Sequence, residues 1–200
     1  MLKNLLKIKF PTTVRYMSSS RCRPSPIRVG ISLAFGKYLF VTNTISSGVL
    51  MLLGDCLQQE IEYQNKKLTK RYDYGRLNRM FLIGLAFGSI NHYFYIWMAK
   101  IMPDRSKKTA RRKLILDQII MSPLCIIIFF YGMGLMESKS LPECTKELKS
   151  KFWDVYVMDF FLCAPSQFIN FYYVPVKYQV FYVNAIALVY SMFLSYFKHN

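Results

Sequence analysis

Uncharged apolar stretches alternate along this chain with clusters of lysine and arginine, and that alternation constrains the fold more than any single motif. The apolar stretches lie at 39–58, 78–99, 118–136, 156–175 and 178–197, each close to the length of about 20 residues that a bilayer-crossing helix requires. No charge occurs from Ile119 to Met136, or from Tyr178 to Phe197. The basic clusters fall between them. Residues 1–38 hold eight basic residues and no acid, 60–79 hold six and three, and 100–113 hold seven and one; 137–154 are balanced at four and four. Apolar spans joined by basic connectors predict an all-α polytopic membrane helix bundle with at least four transmembrane helices. Only a short turn at Pro175 and Lys177 separates the last two segments. The fifth therefore either completes a tight helical hairpin or is a buried helix that does not fully span.

The formal charge of +16 on 200 residues would otherwise suggest a nucleic-acid binder, yet no zinc-finger, helix-turn-helix or RNA-binding aromatic signature accompanies it. Five cysteines are scattered and none forms a C-x-x-C, so neither a disulfide framework nor a zinc site is indicated. Cys56, Cys125 and Cys163 read as small buried apolar side chains. His92 has no second histidine or cysteine nearby, which argues against a metal. No nucleophile–base pair or phosphate-binding glycine loop is present either, so the sequence points to neither an enzyme nor a cofactor.

The first 30 residues are rich in Arg, Lys and Ser and contain no acid. With Leu2, Leu5 and Leu6 set beside Lys3 and Lys7, they have the composition of a mitochondrial presequence, disordered or cleaved near Ser18 or after Arg23. The membrane bundle is expected over 38–199. If the five segments alternate in direction, the N-terminal arm, 100–113 and Lys177 share one side with 16 basic residues and one acid. The other side then has 11 basic residues and seven acids. By the positive-inside rule the first side is the matrix. Arg105, Lys107, Lys108, Arg111, Arg112 and Lys113 form its basic loop. That loop is an anchor on anionic lipid or, on the sharper reading, an electrostatic contact with RNA.

Three acids lie within or at the ends of the apolar stretches: Asp55, Asp117 and Asp159. A charge in the bilayer interior costs roughly 2.5–3.5 kcal/mol on insertion scales, so each is either functional or interfacial. Asp117 and Asp159 each stand six residues before a proline, in DQIIMSP and DFFLCAP. They read as interfacial acids at helix entries on opposite leaflets, with Pro123 and Pro165 kinking the helices just below; Pro175 is a third such break. Gln58, Asn91, His92, Gln118, Gln167 and Asn170 add uncharged polar groups. Such side chains commonly hydrogen-bond between membrane helices. The alternative is a polar pathway shared by these residues and the three acids. Gly84 and Gly88 form a G-x-x-x-G suited to close helix packing, within the chain or between copies as a homo-oligomer.

Five fragments in order, LLGDCLQQ (52–59), INHYFYIWM (90–98), KLILDQIIMSPL (113–124), QFINFYYVPVKY (167–178) and YSMFLSYFKH (190–199), together resemble the Mpv-seventeen / peroxisomal-membrane-protein-twenty-two family. VTNTISSGVLMLLGD and KFWDVYVMDF look most like its Mpv-seventeen-like-protein-two branch. The chain departs from the family pattern at Cys163-Ala164, Gln179, Tyr190 and Gly88-Ser89. The resemblance implies a roughly four-pass helical protein of the mitochondrial inner membrane or the peroxisome. For the branch it implies association with the mitochondrial ribosome, through protein or RNA, in support of its assembly and of translation. For other members it implies a small-solute channel. It brings no catalytic residues.

Overall fold

The computed structural model describes residues 26–104 and 106–199. Residues 1–25 of the expected presequence, and Arg105, lie outside them. Among the described residues the elements are α1 (Pro26–Ala34), α2 (Leu39–Gln64), α3 (Tyr74–Ile101), α4 (Lys107–Leu116), a π-helical turn (Asp117–Met121), α5 (Ser122–Met136), α6 (Leu141–Tyr173) and α7 (Val176–His199), with no strand. Three helices are long and apolar enough to cross a membrane: Leu39–Gln64, the continuous Lys107–Met136 and Val176–Lys198. Between them α3 and α6, of 28 and 33 residues, are also of spanning length, but they carry more polar side chains.

Local sequence sets the helix ends. The Asp73 carboxylate accepts the Arg76 amide at 3.1 Å and starts α3. Ser106 Oγ accepts the Thr109 amide at 3.2 Å and starts α4. Ser140 and Glu143 form a reciprocal capping box at the head of α6, satisfying amides that the first turn leaves free. Helices α2 and α5 end in residues of left-handed conformation, Lys66 (φ 58°) and Ser138 (φ 61°). The following amides, of Lys67 and Lys139, return to the Glu62 and Gly134 carbonyls at 2.9 Å, closing Schellman-type turns.

Helix directions alternate along the chain. Gly84 meets Gly48, and Gly88 meets Ser47 and Asn43, so α3 runs antiparallel to α2. Ser47 bonds Asn184 and Asp55 bonds Ser195, so α7 lies parallel to α2. Tyr131 bonds Thr145 and Ser122 bonds Asp159, so α6 opposes α5. This puts the starts of α2, α4 and α7 at one end of the bundle with Lys177. The 65–73 and 137–140 connections and the C-terminus lie at the other. Each helix outruns its apolar window. The sequence 141–155, in particular, is charged yet helical, because a capping box starts it and its residues favour helix.

That extension overturns one expectation. Asp159 does not open a span: it stands in the middle of a helix that begins at Leu141, and Asp117 stands ten residues into the helix that begins at Lys107. Instead of a kink below an interfacial entry, Pro123 follows the π-helical turn, in which the Ser122 amide bonds the Asp117 carbonyl. A proline at 123 cannot donate to Ile119 and its ring crowds that carbonyl; the wider turn is a common way for a helix to absorb such a defect. Pro165 is held inside continuous α6. Pro175 is a helix break: Val174 before it is extended (φ −85°, ψ 127°), as the residue preceding a proline prefers.

The basic segment also differs from the expected loop. Lys107, Lys108, Arg111 and Arg112 are exposed on α4, while Lys113 turns inward and is buried. Gly84 and Gly88 pack within the chain. A Cβ on Gly84 would stand 2.7 Å from Gly48 Cα, and one on Gly88 would stand 2.7 Å from Ser47 Oγ. One apolar core, around Met80, Ile126, Phe129, Phe130 and Met133, fills the half of the bundle near the C-terminus. A smaller one, around Tyr95, Met98, Phe171 and Val180, fills the half near Lys177.

Candidate functional site

The expected polar residues separate into three groups, because neighbours in sequence point to different faces of their helices. The central group surrounds a cavity of about 90 Å³ between α3, the π-turn, α6 and α7, room for a few waters at about 30 Å³ each. Asp117, Asp159, Asn91 and Gln167 line it together with Ser122, Tyr95, Cys125 and Cys163. Asp117 and Asp159 are 4% and 7% exposed. The placement expected for them, on opposite leaflets, is therefore corrected to one shared wall. Cys125 and Cys163 face the same space and are only half-buried.

Hydrogen bonds tie this wall to three helices. Gln167 Nε2 donates to Asp117 Oδ2 at 2.9 Å and to Tyr95 Oη at 2.8 Å. Asn170 Nδ2 donates to Gln167 Oε1 at 3.0 Å, fixing the amide orientation. Ser122 Oγ donates to Asp159 Oδ2 at 2.5 Å. The second Asp117 oxygen has no protein partner. Among the described residues, the side chains lining the cavity include no lysine, arginine or histidine. Two carboxylates in such a place need a proton or a cation to offset the cost of burying charge. Chemically, the site can exchange protons or hold a small polar or cationic group.

The second group lies near the C-terminal end and is an ion cluster. Arg76 Nε donates to Asp55 Oδ1 at 2.8 Å, and its terminal nitrogens reach Glu62 at 2.8 and 3.3 Å and Ser195 at 2.7 Å. Ser195 Oγ also bonds Asp55. Gln59 Nε2 donates to Asp55 Oδ2 at 2.8 Å, and Gln58 donates to Glu62 at 3.0 Å. Asp55 and Gln58 therefore belong to an ionic staple joining α2, α3 and α7, apart from the central cavity. Sequence reasoning passed over Arg76 and Glu62, since both sit in a connector that reads as solvated; the only signal was their nearness to Asp55 across the turn. Close by, Lys198, its side chain fully buried, bonds Glu147 at 2.8 Å, and Lys139 bonds Glu147 at 2.9 Å and Glu137 at 3.1 Å.

The third group faces the end marked by Lys177. Asn43 Nδ2 donates to His92 Nδ1 at 3.0 Å, and Phe40 packs edge-on against the imidazole at 5.3 Å. Asn91 faces the central cavity while His92, one residue on, faces α2. Ser47 Oγ donates to Asn184 at 2.6 Å, and Asn184 donates to Ser46 at 2.9 Å; these α2–α7 contacts were not foreseen. Gln118 is buried with its carbonyl accepting from Tyr156 Oη at 3.2 Å, and its side-chain amide has no partner.

Comparison with known proteins places this bundle. Residues 134–195 match the model of the Mpv17 / PMP22 family. The chain is 34% identical to PXMP2/4 family protein 4 of Dictyostelium discoideum over 86% of its own length and 96% of that protein's. It is 30% identical to peroxisomal membrane protein 2 of Bos taurus, covering 79% and 82%. It is 26% identical to the mitochondrial inner membrane protein Mpv17 of Rattus norvegicus, covering 84% and 94%. No solved structure matches. With a family model spanning its C-terminal helices and relatives aligned over nearly the whole bundle, the chain belongs to the Mpv17 / PMP22 family.

Proposed function

We propose that this is a multi-pass protein of the mitochondrial inner membrane whose central cavity admits a small polar solute, or a proton, and passes it along the helix bundle. One observation carries the reading: Asp117 and Asp159 are buried on one cavity wall at mid-helix, with an Asp117 oxygen unpartnered. Acids inside a membrane bundle are expensive and mark ion or proton pathways. Relatives carry both mitochondrial and peroxisomal names. The acid-free basic arm at 1–38 favours the mitochondrion for this chain.

Liposomes containing the purified full-length protein test the transport reading, with an internal pH dye in one set and a labelled polar solute in another. Flux should appear with the native chain and be lost in Asp117→Asn and Asp159→Asn. Liposomes that stay silent, or flux that both substitutions leave intact, refute it.

A second reading rests on a different feature, the exposed Lys107, Lys108, Arg111 and Arg112 at the end of the bundle bearing Lys177. They form a basic surface suited to a polyanion, and the branch resemblance directs attention to the mitochondrial ribosome, whose assembly and translation the protein would support as a membrane-bound factor. Such a contact is electrostatic and weakens steeply with salt. It predicts salt-labile cosedimentation with a ribosomal subunit that is lost when the four residues are changed to Gln. Absence from every ribosomal fraction after mild lysis excludes it.

A further inference from the structure

We infer that Tyr95 is the gate between the central cavity and a loading vestibule open toward the Lys177 end. The vestibule is a second space, of about 310 Å³, whose walls include Asn43, His92, Pro175, Lys177 and Val180. Tyr95 lines both spaces. The residue is 2% exposed and its ring packs edge-on against Phe171 at 5.7 Å. The vestibule has its own polar recognition. Asn43, 1% exposed, holds His92 through its amide nitrogen while its oxygen has no partner. This inference rests on the reading of the central cavity as a solute site, and it names the route and the residue that controls it.

The two barriers around the central cavity are unequal. Toward the C-terminal end lie Met80, Phe129, Phe130 and Met133, each 0% exposed, and behind them the Arg76–Asp55–Glu62 ion cluster. Opening that end requires breaking a packed core and a buried ion network. Toward the Lys177 end the barrier is the smaller core of Met98, Phe171 and Val180, in which one phenol ring, Tyr95, belongs to both walls and takes a hydrogen bond from Gln167.

That bond also couples gate to cargo. Gln167 Nε2 has two hydrogens, one given to Tyr95 Oη and the other to Asp117 Oδ2. A solute or proton that occupies the Asp117 carboxylate competes for the second bond and loosens the amide. The tether on Tyr95 weakens as the cavity fills, so occupancy favours displacement of the ring to the extent that the solute binds the displaced state better.

Cys125 and Cys163 line the central cavity and report its accessibility without any need for transport. Full-length protein in liposomes, sorted for orientation by protease cleavage in the 65–73 connection, is treated with a membrane-impermeant thiol reagent. Peptide mass spectrometry then reads the labelling rate at each cysteine. The native chain should label faster from the Lys177 end than from the other. Tyr95→Ala should raise the rate at that end by about tenfold, the change expected when a barrier loses one strong contact, and leave the other end unmoved. Tyr95→Phe and Gln167→Met, which keep the packing volume but cut the tether, should raise it by about two- to fivefold. These two decide the matter if Tyr95→Ala does not fold. Rates unmoved in the folded variants, or raised equally from both ends, overturn the gate. Absent flux with one-sided opening in Tyr95→Ala would sink the transport reading and leave the gate standing; intact flux with unmoved labelling sinks the gate alone.

Discussion

Replacing Arg76 by Met should destabilise the bundle more than any other single change outside its apolar cores. The Arg76 side chain is 4% exposed and its partners Asp55 and Glu62 are 0% and 6% exposed. Its guanidinium is the cation at 2.8 Å from each carboxylate. Methionine preserves much of the length and volume of the stem but leaves two buried carboxylates facing each other without it. Removing one member of a buried ion pair typically destabilises by about 3–5 kcal/mol, because the remaining charge is uncompensated. The triple change Arg76→Met, Asp55→Asn, Glu62→Gln removes all three charges and retains hydrogen-bonding groups. It should recover most of the loss, since replacing a whole buried network is often close to neutral. Reversible unfolding in mixed micelles, followed by far-ultraviolet circular dichroism, measures both differences. A single variant within about 1 kcal/mol of the native chain would show the cluster to be an exposed ion pair in effect. A triple variant as unstable as the single would show that packing, and not charge, carries the staple.

Other outcomes follow from the same coordinates. Gly84→Leu and Gly88→Leu should each destabilise the monomer by at least about 1–3 kcal/mol, because the new side chain meets the α2 backbone 2.7–2.8 Å away; unaltered melting of both variants refutes the close α2–α3 packing. In Glu147, burial pushes the carboxyl up, but the Lys198 and Lys139 ammonium groups outweigh it and hold the pKa below the usual glutamate value. A depressed folded pKa contributes stability that is complete above the unfolded value of about 4.3 and is lost as pH falls through the folded one. Stability should therefore be flat near neutrality and decline below about pH 4.3. Glu147→Gln should be less stable at pH 7 and show a shallower acid slope; an unchanged slope refutes the assignment. Changing Lys107, Lys108, Arg111 and Arg112 together to Gln should lower binding to vesicles or RNA and flatten its salt dependence while leaving the melting temperature unmoved, since all four are exposed. A salt slope that stays the same places the polyanion contact elsewhere.

Hydropathy made the five helices and their alternating directions legible, because a chain that crosses a bilayer must satisfy its backbone within each helix. It misjudged their length. Charged, well-capped turns such as 141–155 carry no apolar signal, so hydropathy places Asp159 at a helix entry although it lies at mid-helix. The residues of the site were largely legible by type: Asp117, Asp159, Gln167 and Asn91 stand out as polar groups in apolar stretches. Their grouping was not, since Asn91 and His92 are adjacent in sequence and face different spaces, while Arg76 and Glu62 looked like solvated loop residues.

By itself, then, the sequence determined that this chain is an all-helical membrane bundle with one basic end and a few costly polar groups inside. Those properties follow from composition, spacing and end charge, which act locally along the chain. Only the tertiary structure decided that Asp117 and Asp159 share one cavity, that Asp55 belongs to an ion staple with Arg76, and that Tyr95 lines two separate spaces. Each depends on the rotation and depth at which one helix meets another. Side-chain packing fixes those two quantities, and hydropathy leaves them free.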